Sequence, residues 1–197
     1  MKSPKVFGVG LQKTGTTSLG KALQLLGYTV VESEIDREPL YRGDMQALFA
    51  CFDTYDAAED NPWSILYKEL HQKFPDAKFI LTIRDEEKWI RSMVNHFGTS
   101  TTKLREFIYG QGKGSPIGNE QLYVQRFQKH NQDVVEYFER FPGQLLVIDI
   151  TKQARWDEIC AHIGLPIPNV PFPFLNKRQW SLWDRLLGRL GLLRVDS

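Results

Sequence analysis

The chain has little of several features that mark particular protein classes. It has only two cysteines, Cys51 and Cys160, which lie far apart among apolar residues, so we expect free thiols rather than a disulfide framework. The sequence has four histidines, at no spacing typical of a metal site: His71, His96, His130 and His162. We therefore predict no metal. The net charge is only +1, which gives no electrostatic reason to expect nucleic acid as a partner.

Long apolar runs are also missing. No stretch approaches the roughly 20 apolar residues that a membrane-spanning helix needs. The first predicted strand begins at Lys5, which leaves no room for a signal peptide, and a cytoplasmic location is expected. A chain of 197 residues, 42% of them hydrophobic, can fill one core well but not two, so we predict a single domain over residues 1–197.

The most informative stretch combines a strand, a tight loop and a helix. Apolar residues from Lys5 to Val9 predict the strand, and leucines at helical spacing predict a helix that ends at Gly27. The loop between them carries Lys13 and four hydroxyl side chains: Thr14, Thr16, Thr17 and Ser18. Backbone N–H groups of such a loop and the positive end of the helix dipole favour a bound phosphate or sulfate.

This loop differs from the nucleoside triphosphate loop at one position. The triphosphate version reads Gly-x-x-x-x-Gly-Lys-Ser/Thr. Gly10 and Gly15 have that spacing, but Thr16 stands where the lysine would be, and the cation of the loop is Lys13. We interpret it as a P-loop-like anion-binding loop without the lysine for the outer phosphates. Simple capping of the helix by the hydroxyl groups is the alternative.

The rest of the chain alternates strands with helices. Strands are predicted at 28–31, 78–83 and 144–149, and helices at 40–52, 62–74, 120–141 and 156–163, with a further helix capped by Asp85. This alternation predicts an α/β fold with a three-layer, doubly wound parallel sheet. Ligands of such sheets bind beyond the carboxyl ends of the strands, where Lys13 and Arg84 are both expected.

Two motifs resemble those of the sulfotransferase family that uses 3′-phosphoadenosine 5′-phosphosulfate (PAPS). Residues 13–19 read Lys-Thr-Gly-Thr-Thr-Ser-Leu, which is similar to the loop that binds the 5′-phosphosulfate group. Residues 79–85 read Phe-Ile-Leu-Thr-Ile-Arg-Asp, with Ser92 eight positions after Arg84. This spacing is similar to the family's 3′-phosphate element. The resemblance implies transfer of a sulfuryl group from PAPS to a hydroxyl or amine acceptor, with adenosine 3′,5′-bisphosphate as product and no metal.

The resemblance also implies roles for individual residues. Lys13 would meet the bridging and leaving oxygen, and the 5′ end would be held by Thr14, Gly15, Thr16, Thr17 and Ser18. Arg84 and Ser92 would bind the 3′-phosphate; the alternatives are an ion pair of Arg84 with Asp85 or Glu87, and a solvent-facing Ser92. The family usually completes this pocket with a basic glycine-rich segment near the C-terminus. That segment is not evident here, and Lys177 and Arg178 are the candidates to replace it.

The sequence offers two candidates for the catalytic base. Many cytosolic members of the family use a histidine in a His-x-Pro stretch, whereas this sequence has Asp60-Asn61-Pro62 in the comparable place. A carboxylate would then remove the proton from the acceptor, with Asp60 as first candidate and Asp56 as second. A helix-capping role is the alternative for either aspartate.

Segments 53–60 and 99–119 are predicted to form the acceptor site, with 99–119 as a substrate loop and Gly110–Gly118 as its lid. The acceptor is expected to be a small molecule, a glycan or a lipid. Residues 180–194 predict a basic amphipathic helix. For this helix, packing on the protein's own body or on a second copy in a homodimer is favoured over contact with a membrane.

Two other functions remain open from the sequence. Asp149 ends an apolar strand and resembles a magnesium-binding acid, as expected in a P-loop kinase or other phosphotransferase, but the missing lysine after Gly15 argues against that class. A non-catalytic nucleotide-binding protein of the same fold is the second alternative.

Overall fold

The computed structural model describes residues 4–31, 35–152 and 156–175, so Lys177, Arg178 and the predicted helix at 180–194 lie outside the described residues. The strands are β1 (Val6–Gly8), β2 (Ala57–Ala58), β3 (Lys78–Thr82) and β4 (Leu145–Ile148). The helices are α1 (Thr16–Leu25), α2 (Glu38–Arg42), α3 (Met45–Phe49), α4 (Tyr67–Lys73), α5 (Glu86–Phe97), α6 (Lys103–Tyr109), α7 (Glu120–Phe138) and α8 (Trp156–Ile163). Within these ranges no helix combines the length and the apolar character needed to cross a membrane.

The four strands form one parallel sheet in the order β2-β1-β3-β4. The chain leaves β1 towards β2 on one side and leaves β3 towards β4 on the other. The crevice where a doubly wound sheet binds its ligands therefore lies between the ends of β1 and β3. The predicted α/β fold with a parallel sheet is confirmed.

Side chains alternate between the two faces of the sheet, as strand geometry requires. On β1, Val6 packs with residues of α1 and α8, whereas Phe7 packs with residues of α3, α4 and α7. On β3, Ile80 joins the first of these cores and Phe79 and Leu81 join the second. Helices thus cover both faces of the sheet, which gives the three predicted layers.

A third buried cluster supports the β1–α1 loop (residues 9–15). Leu11 of this loop packs with residues of three helices, α5, α6 and α7: Trp89, Met93, Ile108, Tyr109, Tyr123 and Phe127. Trp89 stacks on Phe127 with ring centroids 4.3 Å apart. The loop is therefore anchored in the core rather than lying on the surface.

The predicted strand at 28–31 is wrong. This segment forms an isolated bridge between Val30 and Ala57. The second strand of the sheet is instead β2, which is two residues long and lies in the acidic stretch between Asp53 and Pro62. Val31 N–H still bonds the Ala57 carbonyl at 2.8 Å, so residues 29–31 run beside β2 without extending the sheet.

Two further predictions need correction. The helix predicted at 40–52 is interrupted at Gly43, which has φ 74°, and restarts at α3, where the Asp44 side chain accepts the N–H of Ala47. The continuous apolar run of the strand predicted at 144–149 is typical of a buried strand, but β4 lies at the sheet edge and Val147 is exposed. Asp85 caps α5 as predicted, accepting the N–H of Lys88 at 3.0 Å.

Candidate functional site

The carboxyl edge of the sheet carries four charged residues in a row. In sheet order, Asp60 follows β2, Lys13 follows β1, Arg84 follows β3 and Asp149 follows β4. The two cations are therefore adjacent at the crevice, with an acid on either side. The structure brings Lys13 and Arg84 together as the sequence suggested.

Side chains hold the carbonyl groups of the β1–α1 loop. Four carbonyls between residues 9 and 13 each accept a hydrogen bond from a side chain: Val9 from His130 Nε2 (2.7 Å), Leu11 from Thr14 Oγ1 (2.7 Å), Gln12 from Trp89 Nε1 (2.8 Å) and Lys13 from Arg84 Nη1 (2.9 Å). These bonds fix the orientation of the peptide groups. His130 and Trp89 were not identified from the sequence, because nothing local links either of them to the loop.

The N–H groups of the same loop remain available. Those of residues 13–17 donate to no acceptor in the described part of the chain. Lys13 and Gly15 have positive φ values of 70° and 99°. Residues with left-handed and right-handed backbone conformations that alternate along a loop form anion-binding concavities. Glycine is required at position 10 because the backbone there lies close to Thr82 at the end of β3, so that a Cβ would be 2.1 Å from Thr82 Oγ1. Because the carbonyls are bonded to side chains and the N–H groups are free, the loop forms a cradle for an anion at the start of α1.

The hydroxyl groups of the loop do not all face this cradle. Thr14 Oγ1 is buried between the Leu11 carbonyl and Thr82 Oγ1, which is 2.6 Å away. Ser18 Oγ accepts the N–H of Leu175 at 2.9 Å. The hydroxyl groups of Thr14 and Ser18 therefore bond the protein's own backbone instead of facing the loop's free N–H groups.

Lys13 is half-buried between Arg84 and Asp60. Burial lowers the pKa of the Lys13 ammonium, the charge of Arg84 lowers it further, and Asp60 acts in the opposite direction. An anion in the crevice would relieve the repulsion between the two cations.

Arg84 forms no ion pair with a carboxylate of the described residues, which disfavours the alternative of a bond to Asp85 or Glu87. Its Nε is buried and has no partner among those residues. Burial lowers the pKa of Arg84, against the attraction of Asp149 and Asp85. Ser92 lies half-buried on α5, the helix that follows Arg84. Arg84 therefore keeps unused donors for an anion.

The two candidate bases lie at opposite ends of β2. Asp60 follows the strand, has φ 65°, and accepts the N–H of Asn61 at 2.7 Å. Burial raises the pKa of the Asp60 carboxyl, although Asn61 and Lys13 act to lower it. Asp56 precedes the strand and lies 4.0 Å from Lys5 Nζ, at the amino edge of the sheet. The structure therefore leaves Asp56 outside the site.

Glu59 is a member of the site that the sequence did not reveal. It follows β2 directly, and its carboxyl group lies against α1, where a Cβ at Gly20 would be 3.0 Å from Oε1. Burial and the neighbouring Asp60 raise the pKa of Glu59 to about 8. The short β2 gave no sequence signal that would have placed Glu59 at the strand end.

A cavity of about 810 Å³ opens beside these carboxyl groups. Its polar wall includes Gln12, Glu59, Asp60 and Asn61, and its apolar wall includes Val30, Val31, Ile35, Trp63, Phe97, Leu104 and Ile108. Neither Arg84 nor Ser92 lines it. Because β2 and β3 flank β1 on opposite sides, the cavity and Arg84 lie on opposite sides of the loop.

Segment 99–119, predicted to be a substrate loop, contributes Thr102, Leu104, Arg105 and Ile108 to this cavity, and Arg105 bonds one part of the segment to another. The Arg105 guanidinium donates to the Gly114 carbonyl at 2.7 Å and to the Ser100 carbonyl at 2.8 Å. Tyr123 Oη donates to the Lys113 carbonyl at 3.1 Å. The stretch Gly110–Gly118 that was predicted to be a lid is therefore bonded at Lys113 to α7 and at Gly114 to Arg105 of α6.

The Gln12 side chain contacts both α6 and the segment that follows β2. Its Nε2 donates to Tyr109 Oη at 3.0 Å, and its Oε1 accepts from Nδ2 of Asn61, the neighbour of Asp60. The Asn61 side chain also accepts from Ser64 Oγ. Gln12 therefore ties the anion-binding loop to the segment that carries Asp60.

Asp149 is engaged by its own loop. It accepts from the Thr151 N–H and hydroxyl, at 3.0 and 2.6 Å, and pairs with Lys152 at 3.1 Å. Burial acts to raise the pKa of Asp149, but these bonds outweigh it and lower the pKa. Across the described ranges no group of three or more His, Cys, Asp or Glu residues could hold a metal ion.

Comparison with known proteins agrees with this geometry. A family model described as "Sulfotransferase domain" matches residues 5–116 and 104–181. The chain is also similar to a protein of Aspergillus versicolor named "Ava biosynthesis cluster protein M", with 25% identity over 234 aligned positions that cover 93% of this chain and 88% of the relative. Since the family model spans most of the chain and includes both motifs at the crevice, the protein belongs to the sulfotransferase family.

Proposed function

We propose that the protein transfers a sulfuryl group from PAPS to a hydroxyl or amine group of an acceptor bound in the cavity beside Asp60. The observation that carries this proposal is the β1–α1 loop, whose carbonyls are held by side chains while its N–H groups stay available beside two adjacent cations. This arrangement fits an anion with phosphate-like groups at two points. The unpartnered Nε of Arg84 supports a second anionic contact away from the loop.

Each residue has a distinct part in this proposal. The N–H groups of residues 13–17 hold the 5′ end of the donor, and the Lys13 ammonium offsets negative charge on the leaving oxygen. The guanidinium of Arg84 and the hydroxyl of Ser92 bind the 3′-phosphate. PAPS supplies the sulfuryl group, which passes in line to the acceptor oxygen or nitrogen. Lys177 and Arg178 stay candidates for completing the 3′-phosphate pocket.

Asp60 is the proposed base. As the acceptor oxygen bonds to sulfur, its proton passes to the Asp60 carboxylate, and the electron pair of the broken sulfur–oxygen bond stays on the leaving phosphate. The mixed polar and apolar cavity suits a small molecule, or the end of a glycan or lipid, that presents one such group towards Asp60.

Thermal unfolding tests the donor. We expect adenosine 3′,5′-bisphosphate, with no metal added, to raise the melting temperature, and adenosine 5′-monophosphate to raise it less because it lacks the 3′-phosphate. ATP with Mg²⁺ should give no comparable rise. Stabilisation by ATP with Mg²⁺ alone would favour the phosphotransferase alternative.

Mass spectrometry tests the reaction. The protein and PAPS are incubated with a panel of alcohols, phenols, amines, oligosaccharides and lipids, and sulfated products are sought. Tight binding of adenosine 3′,5′-bisphosphate with no transfer to any acceptor would instead favour a non-catalytic nucleotide-binding protein.

A further inference from the structure

The end of β2 places two carboxyl groups side by side, and the proposed function uses only one of them. The hydroxyl of Thr16, the first residue of α1, lies between the two. It donates to Asp60 Oδ2 at 3.4 Å, and its interaction with the Glu59 carboxyl acts to lower the pKa of Glu59. One hydroxyl therefore acts on both carboxyl groups.

The two carboxyl groups have unequal surroundings. Burial raises the pKa of the Asp60 carboxyl, but Asp60 accepts the N–H of Asn61 at 2.7 Å and the hydroxyl of Thr16 at 3.4 Å, and the charges of Lys13 and Arg37 also act to lower its pKa. Glu59 has one oxygen, Oε2, that is buried and has no hydrogen-bond partner in the described part of the chain. A buried carboxylate without partners is strongly disfavoured, whereas a neutral carboxylic acid in the same place costs much less. Of the two groups, Glu59 is thus the one suited to hold a proton.

Two glycines leave room for the Glu59 side chain. A Cβ at Gly20 would lie 3.0 Å from Glu59 Oε1, and a Cβ at Gly8 would lie 2.9 Å from Glu59 Cβ. A larger residue at either position would displace the Glu59 side chain. The other charged side chains that line the cavity come from three elements: Lys21 on α1, Arg37 before α2 and Arg105 on α6. Asp60 is the neighbouring charge that acts on Glu59 most strongly.

We propose that Glu59 and Asp60 hold a single proton between them, with Glu59 as the protonated member and Asp60 as the ionised one. The Thr16 hydroxyl and the Asn61 N–H then both donate to the Asp60 carboxylate, whereas the buried Glu59 oxygen needs no donor because its carboxyl group is neutral. Glu59 is in this sense a positioning residue that keeps Asp60 ionised. Only the use of Asp60 as a base rests on the proposed function; the shared proton does not.

Infrared spectroscopy of the full chain, with no donor or acceptor present, tests the proposal directly. At pH 7 the carbonyl region should show a protonated carboxylic acid, which shifts when the protein is made with ¹³C-labelled glutamate. Because the pKa of Glu59 is raised to about 8, the band should disappear on titration with a midpoint near pH 8. Absence of the band, or a band that does not move with the glutamate label, overturns the proposal.

Variants locate the proton. Glu59→Gln should lose the band, whereas Glu139→Gln, at an exposed glutamate after α7, should keep it. Thr16→Val removes a donor from the Asp60 carboxylate, so it should move part of the proton to Asp60 and make the band partly insensitive to the glutamate label. Thr17→Val, on the exposed side of α1, should leave the band as it is in the wild type. A Thr16→Val spectrum identical to that of the wild type would show that Thr16 does not help to keep Asp60 ionised. The labelling experiment uses the wild-type protein, so it does not depend on whether a variant folds. It also needs no donor or acceptor, so its result and that of the sulfate-transfer assay are independent of each other.

Discussion

Arg84 Nη1 donates a hydrogen bond of 2.9 Å to the backbone carbonyl of Lys13, which joins the ends of β3 and β1. The bond also brings two cations close enough for Arg84 to lower the pKa of Lys13. Holding like charges together is unfavourable unless an anion lies near both. Lys13 and Arg84 therefore repel each other at the crevice, and a bound phosphate or sulfate would offset this repulsion.

This relationship predicts the effect of replacing Arg84. Arg84→Gln should weaken adenosine 3′,5′-bisphosphate binding by about 10- to 100-fold, since a hydrogen bond to a charged group contributes about 1.5–3 kcal/mol. Titration calorimetry without metal measures the change. Arg140→Gln, at an exposed arginine after α7, is the control and should leave binding unchanged. An equal loss for adenosine 5′-monophosphate would argue against a 3′-phosphate contact.

Lys13 should affect the chemical step more than binding. Lys13→Met removes the ammonium from the leaving oxygen, and we expect kcat to fall about 100- to 1,000-fold, the typical loss for one group that stabilises transition-state charge. Donor affinity should fall much less. Lys88→Met, at an exposed residue of α5, serves as the matched control in the sulfate-transfer assay. A Lys13→Met protein with wild-type kcat would remove Lys13 from the mechanism.

Asp60 and Asp56 offer a direct comparison. Asp60→Asn should lower kcat about 100- to 10,000-fold, because a general base contributes on that scale, while donor binding persists. Asp56→Asn should keep kcat, because Asp56 lies at the amino edge of the sheet beside Lys5. Near-normal turnover by Asp60→Asn with intact donor binding would show that another group takes the proton.

The contrast between these two aspartates also shows where sequence reasoning was sufficient and where it was not. The loop around Lys13 and the strand that ends at Arg84 were predictable, because glycine spacing and a continuous apolar run are local signals. The strand β2 was not, because its two residues become a strand only by pairing with β1. Without β2, only the position of Asp60-Asn61-Pro62 relative to the family's His-x-Pro stretch ranked Asp60 above Asp56, and nothing in the sequence placed Glu59 at the site.

The contacts that support the loop were beyond sequence reasoning for the same reason. His130 reaches the Val9 carbonyl and Trp89 reaches the Gln12 carbonyl across 121 and 77 residues of chain. Both residues look like ordinary members of amphipathic helices. Their roles follow from how α5 and α7 pack against the sheet, which no local pattern specifies.

The loop threonines should differ sharply when their hydroxyls are removed. Thr14→Val leaves the Leu11 carbonyl and Thr82 hydroxyl in the interior without their partner, and it should lower the free energy of unfolding by about 1–3 kcal/mol. Thr17→Val, on the exposed side of α1, should change it by less than about 0.5 kcal/mol. Urea unfolding measures both, and Thr14→Ser should recover most of the loss. Equal effects at the two positions would contradict the structural role of Thr14.

Glu59 should make stability depend on pH. Its pKa is about 8 in the folded protein, above the usual value of 4.5 for a glutamate in the unfolded chain. The folded state therefore holds a proton that the unfolded state releases, so this group destabilises the fold increasingly as pH rises from about 4.5 to about 8. Glu59→Gln removes the ionisable group and should raise the free energy of unfolding at pH 8 by about 1–3 kcal/mol relative to the wild type, with the difference shrinking towards pH 5.

Urea unfolding of the wild type and Glu59→Gln at several pH values measures this difference. Glu139→Gln, at an exposed position, should show the same pH dependence as the wild type. Asp60 is retained in all three proteins, so its own titration contributes to each and largely cancels in the comparison. A Glu59→Gln protein whose stability follows the wild-type curve from pH 5 to pH 8 would mean that Glu59 is ionised in the folded protein at neutral pH, and the assignment of the proton to this residue would be wrong.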